Sequence, residues 1–280
     1  MKIAVCIKQV PTREWQPRLR DDKTSIREED VSYEMNEPDA YALEEGLRLR
    51  EKHGGEVVVC SAGPARVQQV LREALARGAD RALHVEDEAL ASADACVSAG
   101  ALAGAMADET FDLVLTGLQS DDQGHGQTGV MLAERLGMPH STIIMEIQMQ
   151  TPDGVQAAGG AHPSTVARGE VGEVEPQASR IRVKRELEGG WFQWLTMPLP
   201  ALLTIQSGIN QLRYATLRGI MAAKKKEIRK VPLPAGLQAS QQIVALALPA
   251  RSKQTHMIAG APADAARELV RRLREEARAL

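Results

Sequence analysis

The chain has 280 residues, of which 44% are hydrophobic and 25% are charged. This composition is ordinary for a globular protein with a sizeable core. Its formal net charge of −3 gives no general attraction for nucleic acid or for an anionic membrane. No apolar run approaches the length of a membrane span. We therefore expect no nucleic-acid partner and no direct membrane insertion.

The three cysteines, Cys6, Cys60 and Cys96, are widely spaced, which argues against a disulfide framework and against a zinc site. Cys6 and Cys60 lie in apolar runs and are predicted to be small buried residues. The first residues, MKIAVCIKQV, are interrupted by Lys8 and predict a first strand, not a signal peptide. The expected compartment is a reducing cytoplasm, and no metal site is expected.

Strand and helix patterns alternate through the first half of the chain. The predicted strands are Lys2–Ile7, Val57–Cys60, Ala82–Val85, Phe111–Thr116 and Thr142–Ile147. The predicted helices are Pro38–Lys52, Val67–Arg77, Ala93–Asp108 and Gly126–Leu136, with a turn at Ser61–Pro64. The strands are apolar on both faces, which predicts an α/β fold with a Rossmann-like parallel sheet and helices on both faces.

The second half is less regular. Residues 151–179 are rich in Gly, Pro and polar residues and are predicted to form a surface insertion. Arg180–Glu186 and Leu199–Ile205 are predicted to pair as a hairpin across Glu188–Pro198. Beyond a domain at 1–230, an extension at 231–280 should contain a strand at Ile243–Leu248 and an amphipathic helix at Ala263–Ala279. The apolar stripe of this tail needs a cover, which we expect to be a partner subunit.

Three loops should meet where the predicted parallel strands end, which is where such sheets bind ligands. They begin at Gln9, Ser61 and Gly117. The segment Gly117–Gly129 is rich in glycine and opens a helix, so its backbone could approach a phosphate. A polar loop with Asp122 as a helix cap is an equally good interpretation. For Asn36–Asp39 the alternative is a helix start, with Pro38 in the first turn and a cap at Asn36 or Glu37.

No arrangement of side chains in the sequence predicts a catalyst. A Walker loop, a Ser-His-Asp or Cys-His set and a metal-binding acidic pair are all lacking, so we expect no catalytic residue. The segment Arg213–Lys226 places Leu217, Ile220 and Met221 before three lysines. This pattern fits either a helix with solvated lysines or a docking loop with apolar anchors inside a charged rim.

Several of these segments resemble the beta subunits of electron transfer flavoproteins. The resemblance rests on VKRELEGG, then PALLT, then RYATL and a run of three lysines, in that order. It also covers IAVCIKQV, NEPDAYALEEGLRLRE, SAGPARVQQVLREALARGADRALHV and DLVLTGLQSDDQGHGQTG. It therefore extends to about residue 230. Departures occur in the loop Ser120–Gly126, in the insertion 151–179 and in the tail.

The resemblance implies a heterodimer with an alpha subunit, in which a shared FAD carries the electrons. The beta chain of this family buries an adenine nucleotide, which is AMP in the common type and a second FAD in the electron-bifurcating type. The nucleotide contacts implied for this sequence are Cys6, Asn36, Glu37, Pro38, Asp39, Ala62, Gly117, Leu118, Gln119, Ser120, Asp121, Asp122, Gln123, Gly124, His125, Gly126, Gln127 and Thr128.

The resemblance also implies positions for the other partners. Arg13 and Glu186 should lie near the redox FAD. The partner-docking residues would be Tyr214, Ala215, Thr216, Leu217, Ile220 and Met221. The donors would be flavin dehydrogenases such as acyl-CoA dehydrogenases, and the acceptor a quinone-reducing or other oxidoreductase. Two other hypotheses are a nucleotide-binding regulatory module on the same fold and an ATP-using ligase or hydrolase.

Overall fold

Strands and helices alternate along the chain much as the hydrophobic pattern predicts. The computed structural model describes residues 1–14, 16–29, 31–150, 180–249 and 255–279. The strands are β1 (Lys2–Cys6), β2 (Gln9–Pro11), β3 (Tyr33–Met35), β4 (Glu56–Gly63), β5 (Arg81–Glu86), β6 (Leu113–Gly117), β7 (His140–Gln150), β8 (Arg180–Glu186), β9 (Phe192–Pro198), β10 (Ala201–Ile205) and β11 (Ile228–Val231). The helices are α1 (Glu37–His53), α2 (Gln68–Arg77), α3 (Ala95–Met106), α4 (Thr128–Leu136), α5 (Leu217–Ala223) and α6 (Pro262–Glu275).

Nine of the described strands form one sheet in the order β11-β5-β4-β1-β6-β10-β7-β8-β9. The first seven run parallel, and β8 and β9 extend the sheet with antiparallel pairs. Residues of β1 alternate between two apolar cores: Ile3 and Val5 lie in one, and Ala4 and Cys6 lie in the other. Each core is covered by helices, so the fold is α/β and Rossmann-like, as predicted.

The predicted hairpin between Arg180–Glu186 and Leu199–Ile205 is wrong. β8 pairs instead with β9, whose residues were assigned to the connection. The segment Ala201–Ile205 is a fully buried central strand that runs parallel between β6 and β7. The physical reason is its sequence, ALLTI. An almost wholly apolar strand is stable only with both faces covered, whereas β9 has an exposed face.

Two smaller predictions also need correction. The segment predicted as a turn at Ser61–Pro64 begins inside β4, which continues to Gly63 because β5 pairs with it that far. No strand forms at Ile243–Leu248, although the pattern is apolar, because the segment pairs with no strand of the main sheet in the described ranges and leaves Ile243, Val244 and Leu248 exposed. The predicted insertion at 151–179 lies outside the described residues.

The tail packs first on the α/β core and then leaves it. Pro234 and Leu237 fill notches at Gly104 and Gly100 of α3, where an added Cβ would approach them to 2.3 and 2.5 Å. The amides of Ser240 and Gln241 donate to the carboxylate of Asp94 at 2.6 and 2.9 Å. By contrast, α6 has no buried residue. The division into domains at residue 230 stays a prediction.

Candidate functional site

The carboxyl ends of β1, β4 and β6 lie side by side because these strands are parallel neighbours in the sheet. Cys6, Ala62 and Gly117 therefore share one edge, together with the loops that follow them. Cys6 is buried in the core, and burial raises the pKa of its thiol well above the usual range. The side chain of Cys6 therefore packs in the core, whereas Ala62 is partly exposed. Nucleotide contact by either residue stays a prediction.

Asp39 joins three parts of this edge. Its carboxylate is buried and accepts one hydrogen bond from the amide of Gly117 and one from the amide of Lys8, each at 2.8 Å. Burial raises the pKa of Asp39 from 3.8 to about 6, and the two amide donors oppose that rise. The first turn of α1 is thus tied to the loops after β1 and β6.

Gly117 permits this arrangement through its missing side chain. A Cβ at this position would lie 2.4 Å from the Asp39 Oδ1 atom and 2.7 Å from the Cβ of Pro38. Both approaches are closer than packed atoms tolerate. The close packing of the end of β6 against the start of α1 therefore explains why residue 117 is a glycine.

The side chain of Asn36 holds the loop 117–128 and makes no capping hydrogen bond to α1. Its Nδ2 donates to the carbonyl of Gln119 at 3.0 Å, and its Oδ1 accepts from the amide of Asp121 at 2.9 Å. The helix-start alternative is confirmed in position, since Asn36 is the N-cap residue of α1 and Pro38 lies in the first turn, but the Asn36 side chain bonds the loop and not the helix. With Asp39, this residue fixes the path of the loop.

Lys8 neutralises the loop that follows β6. Its ammonium donates to both carboxylate oxygens of Asp122 at 2.7 and 2.8 Å, and it also reaches Ser120 and Gln123. The alternative in which Asp122 caps a helix is wrong, since α4 begins after Gln127 without a side-chain cap. Sequence reasoning did not select Lys8. The two adjacent acids Asp121 and Asp122 were the signal that a cation should lie nearby.

Arg13 performs a similar neutralisation. Its guanidinium pairs with Glu37 at the start of α1 and lies 3.3 Å from the carboxylate of Asp121. These carboxylates raise the pKa of the arginine further. Arg13 is exposed, so it remains open to a partner on its outer side.

The loop ends in a helix start that faces the same edge. Gly124 and Gly126 have φ values of 66° and 63°, which glycine adopts without strain, and His125 between them is exposed. Leu118 donates its amide to the carbonyl of Ile205 at 2.9 Å. Gln127 has a buried Oε1 without a hydrogen-bond partner among the described residues. This orphaned acceptor is suited to a donor from a bound molecule.

α4 lies unusually close to the sheet. A Cβ at Gly129 would come within 2.7 Å of the hydroxyl of Thr116 and 2.8 Å of the Thr204 side chain. The first amides of α4, beginning at Thr128, are therefore held beside the ends of β6 and β10. Such amides and the helix dipole favour an anion.

A buried histidine borders the loop after β4 and gave no signal in the sequence. His84 places Nε2 3.1 Å from the carbonyl of Gly63, while Nδ1 lies 3.4 Å from a carboxylate oxygen of Glu86. Burial lowers the pKa of this imidazole. Through its contact with Gly63, His84 packs against the end of β4 next to Ala62.

The predicted docking segment is exposed. Leu217 is 79% exposed, and Tyr214, Ile220 and Met221 are also exposed, whereas Ala215 packs against the core. Thr216 caps α5 by accepting a hydrogen bond from the amide of Gly219 at 3.0 Å. In the part of the chain that the structure describes, Leu217, Ile220 and Met221 of α5 are therefore left exposed, whereas Ala223 at its end is buried in the core.

One of the three lysines after α5 is structural. Lys226 donates to the carbonyl of Leu75 at 3.1 Å and so binds the end of α2. Arg72 reaches back to the carbonyls of Ala223 and Lys226 at 2.6 and 2.7 Å. Only Lys224 and Lys225 fit the interpretation as solvated charges. This anchoring gives the exposed residues of α5 a rigid base.

Glu186, predicted to lie near the redox flavin, ends β8. It is half-buried and accepts a hydrogen bond of 3.4 Å from Gln206. Among the described residues, no group of three His, Cys, Asp or Glu side chains could hold a metal ion. In the same ranges, no helix is long and apolar enough to cross a membrane.

Comparison with known proteins gives a consistent result. Residues 23–162 match the family model of the electron transfer flavoprotein domain. The electron transfer flavoprotein subunit beta of Methylophilus methylotrophus is 37% identical over 83% of this chain and 80% of its own length. The mitochondrial subunit beta of Oryza sativa subsp. japonica is 34% identical over the whole of both chains.

The human protein of that name is 31% identical and covers 98% of this chain and 97% of its own length. The rice and human matches span nearly the whole chain. The chain belongs to the electron transfer flavoprotein beta subunit family.

Proposed function

We propose that this chain pairs with an alpha subunit to form an electron carrier, and that it holds an adenine nucleotide at the sheet edge described above. The complex would take electrons from flavin dehydrogenases, such as acyl-CoA dehydrogenases, and pass them to a quinone-reducing or other oxidoreductase. One observation supports the proposal: in a member of this family, Asp39 and Asn36 hold together the loops at the carboxyl ends of β1 and β6.

The edge has the features that a nucleotide needs. The amides at the start of α4 suit a phosphate, and the orphaned Oε1 of Gln127 suits an amino or hydroxyl donor. The acids Asp121 and Asp122 would repel a phosphate, but Arg13 and Lys8 already neutralise them. We propose AMP as the nucleotide, with a second FAD as the alternative. Asn36 and Asp39 would act through the loop, because their polar atoms are already bonded to it.

We propose that Arg13 and Glu186 border the electron-carrying FAD, which the alpha subunit holds. When bound, that flavin supplies the oxidation and reduction chemistry. Arg13 is exposed and positively charged, so it can contribute a cation to the bound group. Glu186 is fixed by Gln206 and can accept a hydrogen bond from the alpha subunit. The residues of this chain therefore bind and orient, and the proposed role is that of an electron carrier and not of an enzyme.

We assign the docking of the electron donor to the exposed apolar residues around α5, with Leu217 at its start. We assign the alpha subunit as cover for the stripe of α6, whose Leu269 and Val270 are exposed. The proposed compartment is the cytoplasm, which agrees with the free thiols of Cys6, Cys60 and Cys96.

The test is to produce the chain with its alpha subunit and to record the visible spectrum of the purified complex. We expect a stable heterodimer with a flavin spectrum that dithionite bleaches. A colourless heterodimer would reject the proposal. Stable self-association of the chain without an alpha partner would favour the regulatory module.

A further inference from the structure

The loop after β4 is held at the candidate site differently from the other two loops. Asp39 and Asn36 join the loops after β1 and β6. The backbone ladder between β1 and β4 ends with a hydrogen bond of 2.9 Å from the amide of Ile7 to the carbonyl of Cys60. Beyond this point no backbone pair joins the two chains in the described ranges. Side chains therefore set the distance between Ala62 and the loop after β1.

Arg66 supplies such a contact. It lies in a short 3₁₀ helix, Ala65–Val67, that directly follows the loop Ser61–Pro64. Its Nη1 donates to Oε1 of Gln9 at 2.9 Å, and its carbonyl accepts from Nε2 of the same glutamine at 3.2 Å. Gln9 is buried, and an amide that both donates and accepts there is fixed in one orientation. This reciprocal pair ties the end of the loop to the first residue of β2.

The guanidinium of Arg66 also reaches β3. Its central carbon lies 4.2 Å from the centre of the Tyr33 ring, a distance at which a cation and an aromatic face attract each other. Its Nη2 lies 3.4 Å from Oε1 of Glu28. Tyr33 begins β3, which leads directly into Asn36 and α1. One arginine thus contacts both strands of the small β2–β3 sheet.

Tight packing couples the position of Arg66 to the loop before it. A Cβ at Gly63 would lie 2.7 Å from a methyl group of Val67. The carbonyl of Gly63 also lies 3.1 Å from the ring of His84, which is buried. Gly63 therefore cannot absorb a movement of Arg66 without losing one of these contacts. Displacement of Arg66 would accordingly displace Ala62.

The pair with Gln9 differs in kind from an ordinary surface ion pair. Exposed ion pairs contribute little to stability. Loss of the arginine would instead leave the buried Oε1 of Gln9 without this donor, and a buried acceptor without a partner is costly. Gln9 lies in a three-residue strand outside the main sheet. The local chain can therefore shift to repair the loss while the main sheet stays intact.

We infer that Arg66 is a positioning residue of the candidate site. Through Gln9 and Tyr33 it holds the loop after β4 at the distance from the loop after β1 that the bound nucleotide requires. It acts through Gly63 and Ala62 and needs no contact of its own with the ligand. This inference rests on the proposed function and adds to it the residue that sets the third loop.

Two substitutions test the inference. Arg66→Gln removes the stacked guanidinium and its charge, whereas Arg66→Lys keeps the charge and a donor but not the planar group. Arg77→Gln is the matched control, because Arg77 is a partly buried arginine whose ion pair with Glu73 lies within α2. Each full-length chain is purified with the alpha subunit. The probe is the AMP that copurifies, and its release on dilution is followed by mass spectrometry.

We expect AMP to leave Arg66→Gln about tenfold faster than the parent, because a buried hydrogen bond that fixes the loop is lost. Arg66→Lys should give an intermediate rate. Arg77→Gln should stay within about twofold of the parent. Amide hydrogen exchange should accelerate at residues 61–67 in Arg66→Gln and stay at the parent rate at residues 70–77. A merely structural role would instead accelerate exchange throughout both segments.

AMP release from Arg66→Gln at the parent rate would overturn the inference while leaving the proposed function intact. Faster release with exchange raised equally in both segments would also overturn it, since that result indicates general destabilisation. If the parent heterodimer releases one FAD and no second nucleotide, the proposed function fails and the inference with it.

Discussion

At the scale of single residues, Asp39 shows how a buried carboxylate can tie together the loops of the candidate site. Both of its oxygens accept backbone amides from different loops. In Asp39→Asn one of those amides would face an NH2 group, which costs about 1–3 kcal/mol for the unpaired donor. The same change removes the cost of burying a charge. We therefore expect a small change in the free energy of unfolding and a loss of most of the retained nucleotide.

Asp80→Asn is the control for this prediction. Asp80 also accepts a backbone amide, that of Val57 at 2.8 Å, but it does so at the amino end of the sheet. Nucleotide content after gel filtration, measured by absorbance of the released small molecules, should fall in Asp39→Asn and not in Asp80→Asn. Full retention in both variants would contradict the role given to Asp39.

The raised pKa of Asp39 gives a dependence on pH with a definite sign. The group titrates near 3.8 in the unfolded chain and at about 6 in the folded protein. The folded protein therefore binds more protons between these values, so this group's contribution to stability decreases as pH rises from about 4 to 6. Protonation also removes one amide acceptor from the binding edge.

We accordingly expect retained nucleotide to fall as the pH drops through about 6, although the Asp39 contribution to global stability does not fall there. Equilibrium dialysis at pH 5.5 and 7.5 measures this, and Asp39→Asn should abolish the difference. Identical retention at the two pH values in the parent protein would count against the prediction.

Gly117 offers a steric test at the same place. Alanine would bring its Cβ to 2.4 Å from Asp39, and such overpacking costs about 1–3 kcal/mol. Gly117→Ala should therefore lower the melting temperature and release the nucleotide. Gly137→Ala is the control, because Gly137 has φ of 64° and no atom within 4 Å of an added Cβ, so it should lose stability but keep the nucleotide. Equal nucleotide loss in both would remove the steric explanation.

At the scale of elements, the periodicity of the first half was sufficient to predict each helix and strand of the core to within a few residues. Those segments have one strong local pattern each. Leu199–Ile205 was recognised as a strand but given the wrong neighbour, since its parallel partners β6 and β7 are distant in the sequence. The almost wholly apolar sequence of β10 was the available sign of a central strand.

An ion-pair cluster ties the amino ends of the strands together on the side away from the candidate site. Glu109 pairs with Lys2 at the start of β1, with Arg81 of β5 and with Arg229 of β11. The hydrogen bonds from Arg81 lower the pKa of Glu109 from 4.5 to about 2. A depressed carboxyl pKa stabilises the fold above the unfolded value and loses that contribution as pH falls from 4.5 toward 2.

We expect Glu109→Gln to reduce the free energy of unfolding by about 2–3 kcal/mol near neutral pH, with nucleotide content unchanged. Asp108→Asn, at an exposed neighbouring position, should change it by less than about 0.5 kcal/mol. Urea unfolding at pH 7 and pH 3 measures both. A Glu109→Gln variant as stable as the parent at pH 7 would show that the cluster contributes nothing.

The exposed start of α5 predicts a kinetic effect. Leu217 contributes little to the core, so Leu217→Ala should leave the melting temperature and the flavin content unchanged while slowing electron transfer from the partner dehydrogenase at least tenfold. Val244→Ala, at an 85% exposed position in the tail, is the control and should transfer at the parent rate. Stopped-flow reduction of the complex measures the rate, and equal rates for the two variants would remove the docking assignment.

At the scale of the whole molecule, the sequence predicted where ligand loops would meet but not how they are held. The parallel direction of the strands follows from the alternating pattern, and with it the expectation that the loops after Cys6, Ser61 and Gly117 lie at one edge of the sheet. The cross-loop bonds of Lys8 and Asn36 join residues about 80 to 115 positions apart. Contacts between residues so far apart in the sequence cannot be predicted from the local hydrophobic periodicity.

The most direct measurement is mass spectrometry of the small molecules released when the purified heterodimer is denatured. The proposal that this chain buries an adenine nucleotide beside a flavin held by its partner predicts one AMP and one FAD for each heterodimer. Two FAD would keep the binding edge and assign the electron-bifurcating type. A heterodimer that releases one FAD and no second nucleotide would contradict the role assigned to the loops at the edge of the sheet.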